Sequence, residues 1–305
     1  MSLPGTCALV WAKIASAVRS VFLVITFLGF IARAQQPVGV EFKCADDDIQ
    51  FFGLACTSEQ PCPVYLELTS LEPVGAKLFV TGNFHTPEVT LSSILLMSAD
   101  EGKTWTEPYQ RIRSASLGEV QFVNLEKGWA SGETVQSLPR DPFFLVTTDS
   151  GTTWQQRPVF EEDRVGSIVQ FWFDSPSSGS MVVESGSKNE LYETMTGGST
   201  WSVREIKDSP IRLKESARTL NTDWRLRADA ITKTYRVETR RREDKSQGER
   251  WRTVASFPIH VADCKPGDAE RVPAPESETP GKTEAPASGA PQPRKPPSLK
   301  PGETP

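Results

Sequence analysis

Histidine occurs only twice in the 305 residues, at His85 and His260, and tyrosine only four times. Two imidazoles leave few ways to build a general base, and neither lies near a nucleophile-elbow string, so a Ser/His/Asp hydrolase has no support in the sequence. There is no C-x-x-C pair, which with two histidines removes the usual ligand sets for zinc. Beyond the first 34 residues no stretch of ten or more carries a 3.6-residue apolar period, which argues against a helical fold. The one glycine-rich string, Thr196–Thr200, lacks the lysine and the following helix of a phosphate loop. No catalytic residue, metal or cofactor is expected.

The first 34 residues have the layout of an export signal. Lys13 and Arg19 precede an eleven-residue apolar run, Val21–Ile31, too short for a confident membrane span. Ala32-Arg33-Ala34 follows as an A-x-A cleavage site. A secretory signal peptide over 1–34 is expected, with an uncleaved anchor as the alternative. Its removal takes the formal net charge from −5 to −8, a balance that argues against nucleic acid as a partner.

Export gives the cysteines a disulfide reading. Cys44, Cys56, Cys62 and Cys264 remain after Cys7 is set aside, and four cysteines allow three pairings. The preferred set is Cys56–Cys62 as a local loop and Cys44–Cys264 as a clasp across the ends of the domain. The strand-like runs Gly39–Cys44 and Phe257–Ala262 are expected to pair beside that clasp. The Asp46–Asp48 trio reads as a weak calcium site or, more simply, a solvated loop.

One block then recurs. S-A-D-E-G-K-T-W at Ser98–Trp105 returns as T-T-D-S-G-T-T-W at Thr147–Trp154, as T-M-T-G-G-S-T-W at Thr194–Trp201, and faintly as D-K-S-Q-G-E-R-W at Asp244–Trp251. The tryptophans fall 49, 47 and 50 residues apart, and a period of that length means an array of one structural unit. Before each block lie three short apolar or alternating runs bounded by turn residues, and a fourth run begins at the tryptophan. Four strands per repeat is the blade of a β-propeller. In D-x-G the glycine supplies positive φ, the aspartate accepts turn N–H groups, and the tryptophan packs between strands. Ser98, Asp100, Gly102, Thr104 and Trp105 are thus structural, as are Thr147, Asp149, Gly151, Thr153 and Trp154. Gly198, Thr200, Trp201, Gly248 and Trp251 hold the corresponding places in the weaker copies.

These blocks resemble Asp-box, or BNR, repeats, whose pattern is S/T-x-D-x-G-x-T-W. The resemblance spans about Pro63–Phe257, and the first two copies match every defined position. The third has Thr196 in place of the aspartate, and the fourth has Ser246 there and Arg250 for the threonine. The layout is similar to the photosystem II assembly-factor group of BNR proteins, and to no single protein closely, which implies a scaffold role. Sialidases carry the same repeat, but their R-I-P motif is absent: Arg111-Ile112-Arg113 and Ser209-Pro210-Ile211-Arg212 have neither its order nor its place. Tyr65, Tyr109, Tyr192 and Tyr235 all read as strand or post-strand residues.

The expected architecture is an all-β propeller over 35–264 with four blades and an N-terminal closing strand. Five blades or an open curved array are the alternatives. Beyond Cys264 a tail (265–305) holds 11 of the 24 prolines and almost no large apolar residue, so it reads as disordered. Arg204–Arg252 holds 15 of the 34 basic residues against nine acidic ones. Arg236, Arg240, Arg241 and Arg242 there form either an ordinary charged edge or a docking patch for an acidic partner. The function expected is a non-catalytic binding or scaffold protein, periplasmic or secreted, whose partner is a bacterial envelope protein. A carbohydrate-binding or sialidase-like protein is the alternative. Membrane contact is expected only through the signal or the basic hairpin.

Overall fold

The computed structural model describes residues 37–135, 139–162, 164–214, 222–241 and 251–267. The expected leader lies outside them, as does the expected tail apart from Lys265–Gly267. Among these residues one short helix, α1 (Asp46–Phe52), precedes fifteen strands in four antiparallel sheets. Sheet 1 holds β1 (Cys62–Val74), β2 (Lys77–His85), β3 (Thr90–Ser98) and the last strand, β15 (His260–Cys264). Sheet 2 holds β4 (Ala115–Phe122), β5 (Gly128–Val135), β6 (Pro139–Thr147) and β7 (Gln155–Pro158). Sheet 3 holds β8 (Ser167–Phe173), β9 (Gly179–Ser185), β10 (Lys188–Thr194) and β11 (Ser202–Lys207). Sheet 4 holds β12 (Thr222–Asp229), β13 (Thr234–Arg241) and β14 (Arg252–Pro258). These are the four blades of a β-propeller.

Period-two alternation decides which core each strand feeds. In β2, Leu78, Val80 and Phe84 enter a core shared with sheet 4, whereas Phe79 points the other way, into a core shared with sheet 2. In β6, Phe143 and Leu145 join that second core, while Phe144 and Val146 enter a third, shared with sheet 3. Sheets 1 and 2 are therefore buried on both faces. Sheet 3 contributes Phe171, Phe173, Met181 and Val183 to the third core, and sheet 4 contributes Val237, Ala255 and Phe257 to the first. The packing order is 4-1-2-3. No hydrophobic cluster among the described residues joins sheet 3 to sheet 4.

Each turn tryptophan wedges against the preceding blade. Trp105 meets Phe257 of sheet 4 edge-on at 5.2 Å, Trp154 meets Phe79 of sheet 1 at 6.0 Å, and Trp201 stacks on Phe144 of sheet 2 at 5.7 Å. Trp251 departs from this pattern, lying beneath the guanidinium groups of Arg225 and Arg240 at 4.0 and 4.7 Å.

Both expected disulfides are formed, Cys44–Cys264 across 220 residues and Cys56–Cys62 across six. Three expectations need correction. The closing strand is C-terminal: β15 pairs with Cys62–Tyr65 of β1, whereas Gly39–Cys44 forms no strand. The residue just before that segment, Val38, makes a ladder-like contact with sheet 4, its N–H donating to Ser256 O at 2.7 Å. The Asp46–Asp48 trio is the first turn of α1, where acidic side chains suit the helix dipole, and seven residues are too few to show a period. Asp48 accepts from Ala45 N–H, Arg113 pairs with Asp47 and Asp48, and Asp46 accepts from Gly267 N–H. The fourth strand of the first repeat shrinks to two isolated bridges to β3, Met97–Thr106 and Ser92–Arg113.

Replacing Trp154 with alanine is expected to cost about 3–5 kcal/mol, because its indole is buried between two sheets. The Trp251→Ala change removes only a partly exposed cation–π stack and is expected to cost about 1–2 kcal/mol. Denaturant unfolding of the two variants measures the difference.

Candidate functional site

The recurrent turns show why their residue types repeat. In the first, Asp100 Oδ1 accepts from the N–H groups of Lys103 and Thr104, and its Oδ2 accepts from the Thr104 hydroxyl at 2.7 Å. Ser98 Oγ accepts from Gly102 N–H, and Trp105 Nε1 donates to Gly102 O. The second turn repeats these bonds through Thr147, Asp149, Gly151, Thr153 and Trp154. Both glycines have positive φ, 91° and 76°. A Cβ at Gly102 would sit 3.0 Å from Val254 of sheet 4, and one at Gly151 would sit 2.3 Å from Phe79 of sheet 1. In the third turn the Thr196 hydroxyl takes the N–H of Thr200 and also meets the Thr200 hydroxyl, so one oxygen does the work of a carboxylate. Gly198 N–H still donates to Thr194, while the indole N–H of Trp201 has no acceptor among the described residues. Gly248 of the fourth turn lies outside the described residues.

A second repeated device joins the inner strands. Glu72 of β1 accepts from Phe122 N–H on the next blade, and Gln121 of β4 forms a paired clip with Phe173, accepting from its N–H and donating to its carbonyl. Asn83 clips Leu117 in the same paired way. Trp172 precedes Phe173 as Gln121 precedes Phe122. Its indole is a donor only and bonds Asp174, so it offers no acceptor to blade four.

The seam between sheets 3 and 4 is consequently different from the other three. On the sheet 3 side lies a cavity of about 650 Å³. Its wall combines Glu119 of β4, Gln170, Glu184 and Asn189 of sheet 3, and the Pro210–Leu213 connector. The Leu213 N–H donates to Gln170 Oε1, which holds that connector in place. Two carboxylates, two amides, Arg212 and the apolar Val169, Ile211 and Leu213 face this space, and no aromatic side chain among the described residues lines it. On sheet 4, alternation sends Trp224, Leu226, Val237 and Phe257 toward sheet 1 and leaves a charged face opposite. In a ring ordered 4-1-2-3 that face turns toward sheet 3. It carries the pairs Arg225–Glu238, Arg236–Asp229 and Arg240–Asp223. Arg227 and Arg236 stand directly opposite each other across β12 and β13.

The basic hairpin is thus partly neutralised by its own strands. Arg236 and Arg240 share the seam-facing side, Arg241 falls on the other side by alternation, and Arg242 lies outside the described residues. Sequence reasoning missed the acidic partners because they come from β12, a strand away. It missed the cavity because its lining comes from two blades and a connector.

Two further clusters are brought together by the fold. Tyr65 sits between His85 and His260, 5.8 Å from each ring, across three neighbouring strands. The Tyr192 hydroxyl donates to Glu190, which also pairs with Arg164. Burial, and then the adjacent Glu190, push the Tyr192 phenol up to about 12, which holds it protonated rather than nucleophilic.

No protein-family profile matches the chain, and no curated protein matches it. Among solved structures it is similar to "YCF48 bound to D1 peptide", at 17% identity over 63% of this chain and 54% of that one, TM-score 0.35. YCF48 from Cyanidioschyzon merolae matches at 12% identity over 62% and 50%, TM-score 0.30. The catalytic domain of the Coprinopsis cinerea GH62 α-L-arabinofuranosidase matches at 10% over 67% and 72%, TM-score 0.33. The chain spans about half the length of the YCF48 chains. At these scores the likenesses assign no activity.

Hydrogen bonds from Thr104 hold the Asp100 carboxyl down to about 2, and those from Thr153 do the same for Asp149. A carboxyl whose folded value lies below its unfolded one stabilises the fold above the unfolded value, and that contribution is lost as pH falls toward the folded value. Stability is therefore expected to decline between about pH 4 and about pH 2. The Asp100→Asn/Asp149→Asn double variant should be less stable at neutral pH and show a shallower acid decline, read by thermal melts across that range.

Proposed function

We propose that this chain is an exported, non-catalytic Asp-box propeller, similar in role to the assembly-factor group, that docks a partner protein of the bacterial cell envelope at the seam between sheets 3 and 4. The observation that carries the reading is the seam itself. Where the other three junctions bury apolar side chains, the described residues of this one present a cavity on sheet 3 and a charge-laden face on sheet 4. Mixed charged, amide and apolar lining suits a polypeptide segment better than a purely apolar ligand. The two disulfides fit an oxidising, extracytoplasmic compartment. No helix among the described residues is long and apolar enough to cross a membrane.

A carbohydrate ligand is the second reading, favoured by Glu119, Glu184, Gln170 and Asn189 around one cavity. Sugar sites combine such groups with an aromatic platform, and the described lining has none. The protein reading is accordingly preferred.

Arg212 and Arg227 enter no ion pair among the described residues, so their reversal leaves the internal pairs of sheet 4 intact. Cross-linking and affinity purification of the mature protein from its native envelope should recover one envelope complex. The Arg212→Glu/Arg227→Glu variant is expected to bind it about tenfold more weakly, as loss of charge complementarity requires. Unchanged recovery by the variant would move the docking face elsewhere. Recovery of glycan-bearing material alone would favour the carbohydrate reading.

A further inference from the structure

Cys44, Cys56, Cys62 and Cys264 all belong to the first hydrophobic core, Cys56 and Cys264 buried within it and the other two packed against it. Cys62 and Cys264 are also directly opposite partners in the β1–β15 ladder. Opposed residues of an antiparallel pair project to the same face with Cα atoms about 4.5–5.5 Å apart, within the range that a disulfide spans. Neither bridge of the structure uses this juxtaposition: Cys62 is tied to Cys56 and Cys264 to Cys44.

We propose that the four cysteines form a thiol–disulfide exchange site, in which a Cys62–Cys264 bridge replaces the Cys44–Cys264 clasp when the Cys56–Cys62 bridge is reduced. The loop that this bridge closes, Thr57–Pro61, is exposed, so a dithiol reductant reaches it first. One thiolate of the reductant attacks Cys62 Sγ and releases the Cys56 thiolate. The second thiol of the reductant then attacks the mixed disulfide, leaving as an oxidised disulfide and freeing the Cys62 thiolate. Cys62 Sγ attacks Cys264 Sγ across the strand pair, the Cys44–Cys264 bond breaks, and Cys44 departs as a thiolate that takes a proton from water. One dithiol is oxidised, one protein disulfide is lost, and Cys44 and Cys56 end as thiols.

The exchange changes what is fastened. In the structure the 220-residue clasp ties the segment ahead of α1 to β15. Afterwards the covalent link lies within the β1–β15 pair, so the closing strand stays locked to sheet 1 while the N-terminal segment is untethered. The class of co-reactant is a dithiol oxidoreductase of the exported compartment. The inference is independent of the docking reading.

The test treats the oxidised protein with a limiting amount of dithiothreitol, quenches with acid, alkylates free thiols and maps disulfide-linked peptides by mass spectrometry. A Cys62–Cys264 peptide pair with alkylated Cys44 and Cys56 is expected. In parallel, the Cys44→Ser/Cys56→Ser variant, oxidised in air, should contain the same cross-link. Two alkylatable thiols at Cys62 and Cys264 in that folded variant would overturn the proposal. So would partial reduction of the wild-type protein that opens the two native bridges without ever giving the new one, and this second arm decides the matter should the variant not fold.

Discussion

A strand buried on both faces requires a sheet on each side of it, and β2 and β6 impose that demand on the whole molecule. Phe79 and Leu78 are neighbours in sequence yet enter different cores, one shared with sheet 2 and the other with sheet 4. Sheet 1 alone would expose one row of large apolar groups or the other. The turns meet the same demand at the rim, because Gly102 and Gly151 lie so close to Val254 and Phe79 that a side chain at either position would push two blades apart. The glycine of the D-x-G turn therefore answers two constraints at once, positive φ within its own hairpin and contact with the preceding blade. The tryptophan three residues later fills the remaining gap from the same rim.

How much of this is legible in the sequence depends on how far apart the interacting residues lie. Bonds inside the turn involve positions four apart or fewer, so the spacing from Ser98 to Trp105 and from Thr147 to Trp154 already encodes them. The disulfides were legible because exported cysteines pair and the ends of a ring must meet. The closing strand was not, because Gly39–Cys44 and Cys62–Tyr65 are equally strand-like, and only the register of β15 distinguishes them. Helix α1 escaped notice because seven residues are too few to show a period; Asp48 capping, the Arg113 pairs and the packing of Ile49 and Phe52 on the first core hold it. The arginines of β13 were legible as a cluster but not as ion pairs, since Asp223 and Asp229 belong to the strand before. The cavity draws on residues from Glu119 to Leu213, and no local pattern reports such a convergence.

The differences among the four seams follow from what each has to hold together. Sheets 1 and 2, and sheets 2 and 3, are joined by cores and by the Glu72 and Gln121 clips between their inner strands. Sheets 4 and 1 are remote in sequence, and bringing them together carries the largest loop-closure cost. That junction has the largest array of fastenings: the first core, the Trp105–Phe257 contact, strand β15 and the Cys44–Cys264 bridge. Sheets 3 and 4 are consecutive, so the Pro210–Leu213 connector and the residues after it already tether them.

Among the described residues the junction of sheets 3 and 4 is the one with no shared apolar core. Sheet 4 satisfies its outward face from within: Glu238, nearly inaccessible, is paired with Arg225, and Arg225 and Arg240 cover Trp251. Packing a further apolar sheet onto such a face would strip water from several ion pairs for little net gain. Sheet 3, for its part, carries Trp172 where an accepting amide would be needed to clip a fourth inner strand. Among the described residues, the polar groups on both sides of the seam are thus satisfied largely from within their own sheets.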